Sequence, residues 1–301
     1  MALPRPSNGR LVFRPARRVS WGTRIFAVLV LLVAIGAVGA FLEVFLPQQI
    51  AGLARMESNE LQLAKKGTGD VNTATAALWT DLSKGSVGLA DDQLAKDQSL
   101  GKQLEKSAND ALIHVQTAES YITQADSMPF QFHRALFITT DRPALTHLDK
   151  ALAAAATLAR GADLQTGFSQ SMNQNVRSLA DLNNLVAARN WSGCTSAAAS
   201  LTSAVRLQQA PAANPDALLD PLWGKWLDAM RSLSENAQQY CLAAAQNQNQ
   251  TAQQYAYLMN SARTQLGASY AAAQADATAW QAKTITPLLD TLATEVAAAN
   301  G

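Results

Sequence analysis

The chain has few of the residues from which metal and nucleophilic sites are usually built. Its 301 residues include only two cysteines and three histidines, and the histidines have no partner at the HxxxH or ExxH spacing of helical metal ligands. No GxSxG nucleophile motif and no GxGxxG or GxxxxGKS/T phosphate-binding motif occurs. The sequence therefore predicts no metal, no cofactor and no catalytic residues, and we interpret the protein as a non-enzyme with structural or surface histidines.

Residues that break helices are also sparse, with 16 glycines and 10 prolines. No stretch of alternating β-branched residues is long enough to predict a strand. Alanine, glutamine, leucine, serine and threonine dominate the composition, and the apolar residues recur in steps of three and four. This pattern predicts an all-α fold: a single N-terminal transmembrane helix followed by an extracytoplasmic bundle of long packed helices.

Positive and negative charge are nearly balanced, with 24 basic and 23 acidic residues, but they are unevenly distributed. The first 24 residues contain six arginines and no acidic residue, so the rest of the chain has 18 basic and 23 acidic residues, a net charge of −5. The acidic residues are scattered, and we expect them on solvated helix faces. Because such a body has no basic face, we predict no nucleic-acid partner.

One long apolar run follows the arginines. Ile25–Leu42 has 18 residues without a charged or strongly polar side chain, and its extension to Leu46 is long enough to cross the apolar core of a bilayer, about 30 Å thick. We therefore predict that residues 25–46 form a transmembrane signal-anchor helix that contacts the lipid bilayer. Gly36 and Ala40, four residues apart, suggest self-association in the membrane as an alternative to a separate protein partner.

The arginines predict the orientation of this helix, because basic residues beside a membrane helix are retained in the cytoplasm. Residues 1–24 would form a cytoplasmic tail, and the body after Pro47 would lie outside. The orienting residues are Arg14, Arg17, Arg18 and Arg24. A cleaved signal peptide is the competing interpretation, since residues 37–40 offer small side chains to a signal peptidase. Both interpretations place the body outside the cytoplasm.

The rest of the chain is predicted to consist of a stalk with short helices, 47–88, and a helical body, 89–301. Gly67–Asp70 is expected to end the stalk helix, and Gly161 to end a helix that begins at Asp141. A long helix over Asp91–Asp126 carries the clearest heptad pattern. Its apolar positions are Leu104, Ala108, Ala111, Val115, Ala118, Ile122 and Ala125.

Cys194 and Cys241 lie on or beside the apolar faces of consecutive predicted helices. In an oxidising compartment, such a pair predicts a disulfide, with two buried free thiols as the alternative. A helix that ends at Gln209 and a next helix that opens at Asp220 leave a mismatch of about 9 Å between the two cysteines, at 1.5 Å per residue. A stagger between the two helices, or a longer connection, would be needed to bring the cysteines level.

Ser127–Thr140 is the stretch that fits no helical face. It contains a dense apolar cluster between two capped helices, where a connection is normally short and polar. We weigh two interpretations, a plug that closes the end of the bundle and an exposed surface that binds a partner. The candidate partner-binding residues are Phe130, Phe132, His133, Arg134 and Phe137.

Together these observations predict a single-pass membrane-anchored protein of the cell envelope that acts as a non-enzymatic interaction or scaffold component. The alternative is a helical-bundle ectodomain that senses a ligand. Because 24 tail residues leave no room for an output domain, such a sensor would signal through a separate partner. An unrecognised envelope enzyme is a third interpretation.

Overall fold

The computed structural model describes residues 21–82, 90–128, 141–214 and 218–301, with the side chains at 23–24, 42–43 and 210–211 excepted. These ranges are helical and contain no strand, which confirms the all-α helical bundle. The elements, in chain order, are α1 (Trp21–Ala40), a π-helical turn (Phe41–Phe45), α2 (Leu46–Leu82), α3 (Asp91–Asp126), α4 (Asp141–Ala187), α5 (Trp191–Ala212), α6 (Leu222–Ala245), α7 (Asn249–Thr284) and α8 (Thr286–Asn300).

The chain divides into two compact units, Met1–Gly52 and Leu53–Gly301. In the first unit, α1 exposes most of its large apolar side chains, including Phe26 and Val33, each 68% exposed. Over the residues that the structure describes, no helix is both long and apolar enough to cross a membrane.

In the second unit, a first apolar cluster is formed by α2, α3, the first half of α4, and α8. The seven predicted heptad positions of α3 are all buried, as the pattern indicated. Trp79 of α2 is also buried, and its indole N–H donates a hydrogen bond to the carbonyl oxygen of Leu158 in α4, 3.3 Å away. The large members of the first apolar cluster are Leu61, Leu78, Trp79, Leu104, Val115, Ile122, Leu148, Leu152, Leu158 and Leu292.

A second apolar cluster is formed by the second half of α4 together with α5, α6 and α7. Its large members are Phe168, Met172, Leu182, Leu201, Val205, Trp226, Leu227, Met230, Leu233 and Met259. Helix α4 has 47 residues, about 70 Å at 1.5 Å per residue, and it supplies side chains to both clusters. The two clusters are therefore joined by one continuous helix.

The predicted helix end at Gly67–Asp70 is wrong, because α2 runs without interruption from Leu46 to Leu82. Gly67 lies where α2 crosses α3 closely: a Cβ atom added to it would lie 3.1 Å from the Cβ of Ala111. This glycine allows a close helix contact instead of ending the helix, and the tertiary packing compensates for its low helix propensity.

The predicted helix end at Gly161 is also wrong, for a related reason. Gly161 is buried inside α4, and a Cβ added there would lie 2.3 Å from the Cδ1 of Leu218. Leu218 belongs to the connection between α5 and α6, and its side chain reaches the first cluster, while that of Leu219 packs against the second. The missing Cβ thus makes the space that Leu218 fills.

The corners that follow α4 and α6 have the same backbone conformation. Arg189 follows α4 and Asn247 follows α6, and each has φ = 57°, in the left-handed region. In each corner the next residue donates its N–H to a carbonyl five residues earlier, from Asn190 to Leu185 and from Gln248 to Ala243. This pattern satisfies the last carbonyls of a helix. At the other end of α7, α8 begins at Thr286, with Pro287 in its first turn.

Candidate functional site

The predicted disulfide is confirmed: Cys194 of α5 and Cys241 of α6 are bonded, with their Cα atoms 6.1 Å apart. The expected 9 Å mismatch does not arise, because α5 continues to Ala212 and α6 begins at Leu222. With these ends, Cys194 lies about as far before the connection as Cys241 lies after it. Both cysteines are fully buried in the second apolar cluster, so solvent has no direct access to the bond.

The candidate partner-binding residues and most of the orienting arginines lie outside the described residues. This applies to Phe130, Phe132, His133, Arg134 and Phe137, to Arg14, Arg17 and Arg18, and to the side chain of Arg24. Both interpretations of the segment 127–140 stay predictions, as does the orientation that the arginines indicate.

Two of the three histidines pair with glutamates of neighbouring helices. The Nδ1 of His114 in α3 lies 2.6 Å from the Oε2 of Glu60 in α2. The Nδ1 of His147 in α4 lies 2.5 Å from the Oε2 of Glu295 in α8. All four side chains are partly buried. Each pair therefore joins two helices of the first cluster, with the strength of the attraction depending on the charge of the imidazole.

A third contact between helices of the first cluster joins two carboxyl groups. Glu57 of α2 is only 5% exposed and forms a side-chain hydrogen bond with Asp141 at the start of α4. The Oε1 atom of Glu57 is buried without a hydrogen-bond partner. Burial, and then the charge of Asp141 and the hydrogen bond to it, raise the pKa of Glu57 from its ordinary value of 4.5 to about 7.

Asp141 and His147 lie in the first turns of α4, while His114 lies 12 residues before the end of α3. We call the whole set of three contacts the polar end. Its members are Glu57, Glu60, His114, Asp141, His147 and Glu295. The two helix ends are also joined by the ion pair of Arg142 in α4 with Asp126 in α3. Within the described ranges, no group of three or more histidine, cysteine and acidic side chains is close enough to hold a metal.

The expectation that the acidic residues lie on solvated faces is wrong for Glu57, Asp97 and Asp220, each at most 5% exposed. Burial is the main cause that raises the pKa of Asp97 and of Asp220. The Oδ1 of Asp220 accepts a hydrogen bond from the N–H of Leu222, at 2.8 Å, and so satisfies the N–H group of the first residue of α6. Asp97 accepts a hydrogen bond from the side-chain amide of Gln93, 2.8 Å away, so both of these buried acids have a partner within four residues of the chain.

For two of these acids, Glu57 and Asp97, the spacing of apolar residues in the sequence already indicated burial. From Glu57 onward, buried positions of α2 recur in steps of four and three, and the series continues through the glycine-rich stretch. They are Glu57, Leu61, Ala64, Thr68, Val71, Thr75, Leu78 and Leu82. Asp97 falls in the same way between Leu94 and Leu104 of α3. A polar residue at a position of such an apolar series therefore indicates a buried polar contact.

An open groove of about 440 Å³ lies between α2 and α3. Its floor is aliphatic, with Leu63, Val71 and Leu104 among the lining residues, while Lys66 and Asp110 belong to its polar lining. The volume falls in the range of small-molecule sites, and a mostly apolar wall with a few polar groups is their usual composition.

The tryptophans of α6 form part of the packing of the second cluster. Trp226 is buried, and its ring lies 6.4 Å from that of Trp223. Trp223 also contacts Phe168 of α4 and Tyr270 of α7. These ring contacts join three helices, so both tryptophans are accounted for by packing.

The described fold and the polar end define the protein as an all-α helical bundle with a disulfide in one cluster and titratable helix contacts in the other. Comparison with known proteins adds no relative: no family model, no curated protein and no solved structure matches the chain.

Proposed function

We propose that the protein is anchored in a membrane by residues 25–46 and that its helical body, outside the cytoplasm, binds another protein as a non-enzymatic scaffold or interaction component of the cell envelope. The proposed span counts the whole run, including Leu42 and Glu43, whose side chains lie outside the described set. The proposed protein partner is either a different chain or a second copy held in the membrane.

The observation that carries the proposal is the apolar surface of α1. Side chains such as Phe26, Leu31 and Val33 are more than half exposed, and removing one such side chain from water contributes about 1.5–3 kcal/mol. A lipid bilayer would cover all of them at once. The arginine-rich, acid-free stretch that precedes α1 supports an orientation with the tail in the cytoplasm.

The orientation can be tested with reporters fused after Gly301. We expect a phosphatase that is active only outside the cytoplasm to be active in this position, and a fluorescent protein that matures only in the cytoplasm to be dark. Replacing Arg14, Arg17, Arg18 and Arg24 by glutamine is expected to produce a mixture of orientations, because the retention signal is lost. A bright cytoplasmic reporter on the unmodified chain would contradict the proposed topology.

A second candidate function, ligand sensing by the helical body, is favoured by the groove between α2 and α3, because of its volume and its aliphatic floor. The two candidates predict different results with purified protein. If the protein is a scaffold, a stoichiometric partner or a second copy is expected to copurify from solubilised membranes, and a metabolite panel should leave the melting temperature unchanged. A ligand that raises the melting temperature, with the effect lost on replacing Leu63 by glutamate, would favour the sensor.

A further inference from the structure

The groove between α2 and α3 follows the line along which these two helices pack. Its lining residues on α2 extend from Leu63 to Ala74, and those on α3 extend from Leu100 to His114. On α2 this is 11 positions, about 17 Å at 1.5 Å per residue. The groove is therefore long, and its width decides what kind of molecule it can enclose.

The width of the groove is that of one extended chain. Its volume of about 440 Å³, spread over about 17 Å, leaves a space about 5 Å wide and deep. An α-helix with its side chains is about 10 Å across, whereas neighbouring extended chains lie about 4.8 Å apart. The groove is thus too narrow to enclose a helix of a partner protein.

The floor of the groove is apolar and continuous. Val71 of α2 and Leu104 and Ala111 of α3 are each at most 4% exposed, so only a small part of each side chain is open to a molecule that lies above it. At Gly67, where α2 comes closest to Ala111, no side chain rises from α2 to interrupt the floor. An extended apolar chain would therefore contact aliphatic groups along most of its length.

The walls offer no backbone groups to a bound peptide. Both α2 and α3 continue without interruption through the groove, so their N–H and C=O groups along it are bonded within each helix. An extended peptide would have only side chains, such as those of Gln103 and Ser107, as partners for its own backbone groups. A hydrocarbon chain has no polar groups to satisfy, so the groove favours a hydrocarbon chain over a peptide.

The charged groups of the lining place an available cation near one end of the groove. The charged or titratable lining residues are Lys66, Asp70, Asp110 and His114. Asp110 is paired with Lys106, and His114 with Glu60. None of the ion pairs among the described residues includes Lys66, which lies close to the end at Leu63. An anionic head bound there would leave Asp70, one turn further along α2, beside the uncharged chain.

We propose, on the basis of the second candidate function, that the groove binds a long-chain fatty acid. The carboxylate pairs with Lys66, and the chain lies on the apolar floor toward Ala74 and Leu100. An extended chain advances about 1.2 Å per bond, a third of the rise of an extended residue, so about 14 bonds span the groove. Tetradecanoate and hexadecanoate fit this length, whereas hexanoate would leave most of the floor uncovered.

Photocrosslinking of the full chain in lipid nanodiscs tests this assignment. The probe is tetradecanoate with a diazirine on its chain, and labelled peptides are identified by mass spectrometry. We expect labelling within 63–74 or 100–114 that falls about tenfold when unmodified tetradecanoate is added in about tenfold excess, because the two compete for one site. Hexanoate at the same concentration should have no effect. Absence of labelling in these ranges, or labelling that tetradecanoate does not displace, would overturn the proposal.

Two variants test the chain and the head separately. Ser107→Trp places a large ring in the groove and should abolish the displaceable labelling, whereas the control Ser203→Trp, at an exposed serine of α5, should retain it. Lys66→Glu should reduce labelling by the acid about fivefold or more, and leave labelling by the alcohol of the same chain unchanged. Circular dichroism checks that each variant folds. If the folded variants at Ser107 and Lys66 both label like the unmodified chain, the fatty acid does not lie in this groove.

The same protein preparations separate the fatty acid from the sensor function itself. A polar metabolite may be found that raises the melting temperature of the unmodified chain but not of Ser107→Trp, while no fatty acid labelling is displaceable. That result keeps the second candidate function and rejects the fatty acid as its ligand. If no compound raises the melting temperature and no labelling is displaceable, both are rejected.

Discussion

Replacing Cys194 and Cys241 together by alanine is expected to lower the free energy of unfolding by about 4 kcal/mol. The two residues are 47 positions apart, and on the chain-entropy model a bond that closes a loop of this size restricts the unfolded chain by about that amount. For a unit of this length, the melting temperature should fall by about 10 °C under non-reducing conditions matched for both proteins. Thermal unfolding followed by circular dichroism measures it.

The single replacements provide the control. Cys194→Ala or Cys241→Ala alone already breaks the bond, so either one should cost nearly as much as the double replacement. Fully buried thiols that merely pack would instead give two smaller losses that add. Additive losses, or an unchanged melting temperature after reduction of the unmodified protein, would contradict a stabilising disulfide.

The second large effect is expected at Gly161, where alanine should destabilise the protein by about 2 kcal/mol even though alanine is the better helix former. The added Cβ would lie 2.3 Å from Cδ1 and 2.7 Å from Cγ of Leu218, so that side chain would have to leave its site. Overpacking of this kind typically costs about 1–3 kcal/mol. The midpoint of urea unfolding is the measurement.

Two further variants separate this clash from a general effect of glycine in α4. Gly167→Ala, where the nearest neighbour of the added Cβ is the flexible Gln98 side chain at 3.5 Å, should be neutral or stabilising by up to about 1 kcal/mol. Leu218→Gly removes the obstacle and suits the φ of 46° at that position. In the Leu218→Gly background, Gly161→Ala should lose its cost; if it stays equally destabilising, Leu218 is not the cause.

The spacing of apolar residues predicted the helices well because burial along a helix face follows a local period. The heptad of α3 and the apolar face of α5 that carries Cys194 each depend on residues within one helix. The disulfide was predicted because the two cysteines lie on or beside the apolar faces of consecutive helices. Local patterns were therefore enough for the fold class and for this one cross-link.

The helix ends at Gly67 and Gly161 were misread because their cause is not local. A glycine followed by polar residues usually ends a helix, but here each glycine admits a side chain from a distant part of the chain, Ala111 or Leu218. Nothing within ten residues of either glycine indicates that partner. The continuing steps of three and four on both sides were the one available sign that the helix does not stop.

The polar end was beyond sequence reasoning for the same reason. Glu57 and Asp141 are 84 positions apart, and His147 and Glu295 are 148 apart. Their meeting depends on the relative register of four helices, which no spacing rule specifies. The sequence assigned the histidines no partner at short range, and the carboxylate partners of His114 and His147 could be recognised only after the helices had been placed.

Because α8 follows α7 but packs in the first cluster, that cluster is completed only by the last helix of the body. A fragment ending near Asp163 would keep Leu152 and Leu158 with α2 and α3 but would lack α8, one of the four helices of the first cluster. Phe168 and Met172 would remain with α5, α6 and α7, which are the other helices of the second cluster. A chain synthesised from its N-terminus therefore has all the helices of the second cluster before it has all those of the first.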